Sequence, residues 1–199
     1  MNNIKQLPKF TCILILLYVW IFLLDLVIFK GELWEIGSGK SFDSMEFNNW
    51  YRLITGSFFH HSVLHLLGNS LALYFVGMIL ENKIGSWTFL FIYFLGTVGT
   101  SIIYSLIFSY TGGNGASPGI YALIACIVIL FLHNRSFIKL QFGNWPVNYT
   151  FYYFILANLV GMDGLIVHII GFGIGSIFTL LFLYKQKIKN RFSIHLHTK

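Results

Sequence analysis

HSVLHLLGNSLALYFVGMIL, residues 61–80, runs for twenty positions without one Asp, Glu, Lys or Arg. At about 1.5 Å of rise per residue, a helix of that length reaches about 30 Å, the depth of a bilayer's hydrocarbon core. The stretch reads as a membrane-crossing helix. Five other segments read the same way: 10–29, 86–109, 118–132, 148–160 and 164–184. The runs 118–132 and 148–160 are short, so their ends borrow residues from the adjoining loops. The expected fold class is all-α: a polytopic bundle of six transmembrane helices, one membrane domain over 1–199, with a long outer loop after helix 1. Short tails, 1–9 and 185–199, flank it.

Composition agrees. Of the 199 residues, 56% are hydrophobic and 10% charged, where a water-soluble domain carries about 25% charge. Mean hydropathy is +0.73. A chain this apolar lacks the polar surface to stay dispersed in water. The net charge of +6 does not point to nucleic acid, because the cations lie between apolar runs and at the ends, with no groove-sized patch. Cys12 and Cys126 stand alone in apolar stretches, without CxxC spacing. The basic start, Met1 to Lys9, has the look of a signal peptide. The apolar run Phe10 to Phe29 is too long for one and has no small-x-small cleavage site, so it reads as a retained helix.

Charge sets the expected topology. With the N-terminus inside, the cytoplasmic side receives Lys5, Lys9, Lys83, Arg135, Lys139, Lys185, Lys187, Lys189, Arg191 and Lys199. The outer side receives Lys30, Lys40 and Arg52. That bias places both termini in the cytoplasm. The outer loop 30–59 carries Trp34, Phe42, Phe47, Trp50 and Tyr51. Aromatic rings favour the headgroup zone, so the loop is expected to lie partly in the interface. Glycines on helices 3 and 6 (Gly96 and Gly99; Gly171, Gly173 and Gly175) mark close backbone packing.

Polar side chains gather at one depth. Helix 2 enters near His60, and His65 and Asn69 follow on one face at i, i+4 spacing. Helix 4 starts near Ser117, and helix 6 reaches His168 one turn after Gly164. Polar groups at that depth are costly unless they share a cavity. Ser and His supply a nucleophile and a base, and Asn with a backbone N–H supplies donors for an oxyanion. The acid that would orient the histidine is missing. Asp163 is a weak candidate, and a Ser-His pair held by packing is the simpler reading. The ordinary readings stand beside these. Ser before Pro is commonly a helix cap. A single His near a helix end is commonly a packing residue. His60, His61 and His65 lack HExxH spacing and nearby carboxylates, which argues against metal. His195 and His197 read as solvated tail residues. Asp25, near the outer end of helix 1, has no partner that the sequence identifies.

Three stretches together resemble the rhomboid family of intramembrane serine proteases. WYRLITGSFFHHSVLHLLGNSLALYFVGMILE (50–81) is similar to its first-loop and second-helix signature, GASPGIYAL (115–123) to its serine motif, and VHIIGFGIG (167–175) to its last-helix motif. The resemblance covers roughly residues 50–184. It implies Ser117 as nucleophile and His168 as general base, then acid. It implies Asn69 and His65, with the Ser117 N–H, as the oxyanion hole. His60 would support the loop and helix 2, Tyr121 would pack on His168, and Gly115 would allow the tight approach before the nucleophile. Gly171 and Gly175 would let helix 6 approach helix 4, and Trp50, Arg52 and Glu81 would be structural. The family's GxSG reads here Gly115-Ala116-Ser117-Pro118. Inactive relatives lose the serine or histidine, or carry proline just before the serine, and none of those changes is present.

The implied activity is endopeptidase cleavage of membrane-protein substrates whose transmembrane segments unwind readily. Helix 5 and the cap over the site are the implied entry gate. No cofactor and no nucleic-acid partner are implied, and the lipid bilayer is the medium. A minimal six-helix form without a cytoplasmic domain looks bacterial, which implies the inner membrane and a site opening outward. Two other readings compete: a non-catalytic rhomboid-like protein that holds unstable membrane helices, and a small transporter. The transporter lacks an inverted repeat or a charged relay through mid-membrane.

Overall fold

The computed structural model describes residues 7–39, 49–108, 114–159 and 162–197, with side chains up to Lys185. Lys40, Phe42 and Phe47 of the outer loop lie outside the described residues, as do the side chains of His195 and His197. The described elements are all helical. α1 is Lys9–Leu24, continued by a π turn over Asp25–Phe29; α2 is Glu32–Gly37; α3 is Arg52–Thr55, followed by a 3₁₀ turn over Gly56–Phe58. α4 is Val63–Ile84, α5 Ser86–Ile107 and α6 Ser117–His133. α7 is Trp145–Leu156 with a 3₁₀ turn over Ala157–Leu159, and α8 is Met162–His197.

Among the described residues, four helices are long and apolar enough to cross a bilayer: Lys9–Phe29, Val63–Ile84, Ser86–Ile107 and Met162–Lys185. α6 has 17 residues and α7 has 12. At 1.5 Å per residue they reach about 25 and 18 Å, less than a full hydrocarbon core. Eleven residues of α6 are buried, spread over every face of the helix. It is the central helix, packed most extensively against α8, then α5 and α4.

The boundaries depart from the sequence expectations where local caps intervene. α4 begins at Val63, because Ser62 is extended and its hydroxyl accepts the His65 N–H at 3.2 Å. His60 and His61 therefore precede the helix. α8 does not end near 184 but continues as helix through the expected tail to His197. Ser117 is the first helical residue, not the cap, and Ala116 stands at the cap position. Pro118 is then tolerated in the first turn, where amides have no helical partner.

Glycine permits the crossings on α6. A Cβ at Gly96 would overlap the Ala122 side chain, and one at Gly175 would overlap the Ala122 carbonyl oxygen. A Cβ at Gly171 would stand 2.5 Å from the Pro118 carbonyl oxygen. With lipid outside as apolar as the core, close backbone packing of this kind holds helices together.

Glu81, near the end of α4, closes the start of α1. Its carboxylate accepts the Phe10 and Thr11 N–H groups, each at 2.9 Å, and the Thr11 and Ser86 hydroxyls, each at 2.7 Å. The side chain is fully buried. Glu81→Ala would strand two helix-start amides and two hydroxyls, and we expect a loss of about 1–3 kcal/mol. Glu81→Gln, which keeps one acceptor oxygen, should lose less. Thermal unfolding in detergent micelles measures both, and an unchanged melting temperature for Glu81→Ala would refute the capping role. At the other end of α1, Asp25 accepts the Leu33 and Trp34 N–H groups at 3.0 and 3.3 Å, so the partner missing from the sequence is the start of α2.

Candidate active site

Three helix ends and the turn before α6 meet at one level. Gly115 has φ +106°, in the left-handed region, and its N–H donates to the Gly56 carbonyl at 3.0 Å. A side chain there would be strained, and it would also have no room. Its Cβ would lie 2.6 Å from His65 Cε1, 2.8 Å from His65 Nε2 and 3.2 Å from Asn69 Nδ2. His65 and Asn69 thus face the turn that delivers Ser117, as their shared helix face requires. Ser117 is buried, as are Asn69 and His168.

The Asn69 amide is held from one side by α7. Its Oδ1 accepts the Tyr153 hydroxyl at 2.7 Å, while its Nδ2 is buried with no partner among the described residues. An unpaired buried donor costs about 1–3 kcal/mol, so it marks a place where an acceptor is to be received. His60 lies against His65 with ring centres 5.0 Å apart and against Tyr18 at 5.3 Å. Burial first, then the proximity of His65, pushes the His60 imidazole down to about 3. It is a neutral packing group at pH 7.

On the other side, α8 crosses α6 at Gly171 against Pro118, which sets His168 one turn away, toward the start of α6. The His168 ring stacks on Tyr121, centres 4.1 Å apart and planes within 4°. The Tyr121 hydroxyl donates to the Phe154 carbonyl at 2.9 Å. Among the described residues no hydrogen bond joins the Ser117 hydroxyl to His168; such contacts commonly tighten only when substrate binds.

The group that orients the histidine is one that sequence reasoning missed. His168 Nδ1 is 2.8 Å from Asn158 Oδ1. Asp163, the weak acid candidate, instead accepts the Tyr104 hydroxyl at 3.2 Å. Looking for an acid could not find an amide. The one usable signal was a lone Asn in the apolar run TFYYFILANLVG, residues 150–161. Tyr153 was missed for a similar reason, since one tyrosine among several carries no signal.

Behind Ser117 is a cavity of about 40 Å³ lined by Ser57, Thr97, Thr100, Ser101, Tyr104 and Asn114. Hydroxyl groups stand among its lining residues, and its volume exceeds the roughly 10–15 Å³ that a water needs. The remaining sequence candidates lie farther off. Arg52 is buried and donates to the Ser38 carbonyl at 3.1 Å, tying α3 to the end of α2. Trp50 is 53% exposed, just before α3. Gly175 and Glu81 sit in the helix contacts described above.

A family model described as Rhomboid domain matches residues 48–185. The chain is 26% identical over 147 residues to YdcA of Bacillus subtilis (strain 168), provisionally named a rhomboid protease, covering 72% of this chain and 71% of YdcA. It is 37% identical over 87 residues to rhomboid protease GluP of the same organism, covering 44% of this chain but 17% of GluP. It is 28% identical over 120 residues to RHOMBOID-like protein 12, mitochondrial, of Arabidopsis thaliana, covering 51% of this chain and 35% of that one.

Proposed function

The chain belongs to the rhomboid family, and we propose that it is an intramembrane serine endopeptidase with Ser117 as nucleophile and His168 as base. The observation that carries this reading is the buried, unpartnered Nδ2 of Asn69 beside the Ser117 turn. It is a donor with nothing to bind until negative charge develops on a carbonyl oxygen next to Ser117.

The steps follow from the groups present. Ser117 Oγ attacks a substrate peptide carbonyl while His168 takes its proton. The oxyanion is met by Asn69 Nδ2, His65 and the Ser117 N–H, which as the first helical amide has no helical partner. His168 then gives the proton to the departing amine, leaving an acyl-Ser117. A water, for which the cavity behind Ser117 offers a reservoir, attacks the acyl carbon with His168 again as base; the ester bond then breaks, His168 returns the proton to Ser117 Oγ, and the fragment with the new carboxyl group departs. The substrate's own helix must open first, because helical carbonyls are already hydrogen-bonded. Transmembrane segments with small or helix-breaking residues are therefore the expected substrates. In the proposed topology all six core helices traverse or enter the membrane as one domain. Both termini are cytoplasmic and the site opens to the outer face of a bacterial inner membrane.

The test uses purified protein in liposomes, a fluorophosphonate and a panel of single-span substrates. Mass spectrometry is expected to find the adduct on Ser117, and new fragments cut near helix-breaking residues. Folded protein that neither labels at Ser117 nor cleaves any substrate would overturn the protease reading in favour of a non-catalytic helix-binding protein.

A further inference from the structure

α7 is the shortest of the core helices, yet it and its terminal turn touch both halves of the site. Asn158 lies in the turn. Its Nδ2 lies against the Phe154 carbonyl and is 2.8 Å from the Tyr121 hydroxyl. A carbonyl oxygen can only accept, so the amide nitrogen must be on that side and Oδ1 must face His168. An amide oxygen also only accepts, so at the 2.8 Å contact the proton belongs to His168 Nδ1. A neutral imidazole has one such proton. The lone pair is then on Nε2, the atom left to receive a proton from serine. Tyr153, on the last turns of α7, does the matching work for the oxyanion side. Its hydroxyl holds Asn69 Oδ1 and so turns Asn69 Nδ2 toward Gly115.

We propose that α7 with its turn is the positioning element of the site: Asn158 fixes the tautomer and ring plane of His168, and Tyr153 fixes the direction of the Asn69 donor. Neither residue needs to touch substrate. The site is thereby a nucleophile and base with an amide as the third member, where a carboxylate is the more familiar orienter. The expected effects on rate rest on the serine-hydrolase reading above. The tautomer does not depend on it.

The test therefore has two readouts. In ¹⁵N-histidine-labelled protein at pH 7, with the His168 signals identified by their loss in His168→Ala, the Nδ1–H tautomer is expected to dominate. In Asn158→Leu it should mix with Nε2–H. The maximal rate of fluorophosphonate labelling at Ser117 should fall about 10- to 100-fold in Asn158→Leu, at unchanged reagent affinity, as misplacement of a reacting group predicts. Asn158→Asp keeps the acceptor toward His168 but loses both Nδ2 contacts. It should recover most of the rate, whereas a merely structural Asn158 would leave both variants equally impaired. Tyr153→Phe should slow labelling without changing the His168 tautomer. An Nε2–H tautomer in the unmodified protein overturns the Asn158 assignment, even if a variant fails to fold. Full labelling rates in folded Asn158→Leu or Tyr153→Phe overturn that residue's role. Absence of labelling in the unmodified protein sinks the protease reading, and the tautomer still decides Asn158.

Discussion

His168→Ala will lower kcat for a cleaved single-span substrate by about 10⁴-fold or more, and Ser117→Ala will do the same. In the proposed mechanism the two groups act as a unit. Without the imidazole the hydroxyl has no acceptor for its proton, and without the hydroxyl the imidazole has nothing to activate. The double variant should therefore be no worse than either single one, as groups that share one step are grossly non-additive. KM should change little, since neither group is needed to hold a transmembrane segment at the site. The loss cannot be assigned to unfolding if the variants keep their melting temperatures within a few degrees. His168 contributes a stacked contact to Tyr121 and one bond to Asn158, so some destabilisation is expected. Single-turnover fragment production in liposomes measures this. Additive losses, or a residual rate above about 1% in His168→Ala, would point to a different base.

Gly171→Val should damage both stability and activity. A Cβ there would stand 2.5 Å from the Pro118 carbonyl oxygen and 3.1 Å from Pro118 C and Cα. These are backbone atoms in the first turn of α6, and no rotamer change can move them. α8 must withdraw from α6, at a cost of about 3 kcal/mol or more, the upper range for overpacking. The withdrawal occurs one turn from His168 and at the residue after Ser117. A displacement of about 1 Å there costs about 10²-fold in rate. Gly173→Ala is the control, because no heavy atom lies within 4 Å of its Cβ position. It should alter stability by no more than about 0.5 kcal/mol in the unfavourable direction, since alanine is the better helix former. Equal melting temperatures and rates for the two variants would mean that α6 and α8 do not cross at Gly171.

The long apolar helices were legible because apolar length is a property of the chain alone; α2 and α3, inside the stretch 30–59 expected as a loop, were not. Residues 61–80 carry too much apolar surface for water, and in lipid a helix pairs the backbone internally, which the structure realises over Val63–Ile84. The central, short helix was legible only as a short apolar run. That all its faces are buried follows from where α4, α5 and α8 pack. Ser117, His168, His65 and Asn69 could be nominated because polar groups are conspicuous in apolar segments. Asn158 and Tyr153 could not, because their roles arise from contacts across 10 and 84 positions.

Period, length and polarity are local quantities. They suffice for a membrane-embedded helical chain, with glycine-marked contacts and a serine, a histidine and an asparagine at one depth. They do not say which atom of each polar group faces the serine. That came from packing, which joined Asn158 to His168, Tyr153 to Asn69 and Glu81 to the start of α1. Direction of this kind is set by the partner on the far side of each hydrogen bond, and that partner lies on another helix or beyond a turn.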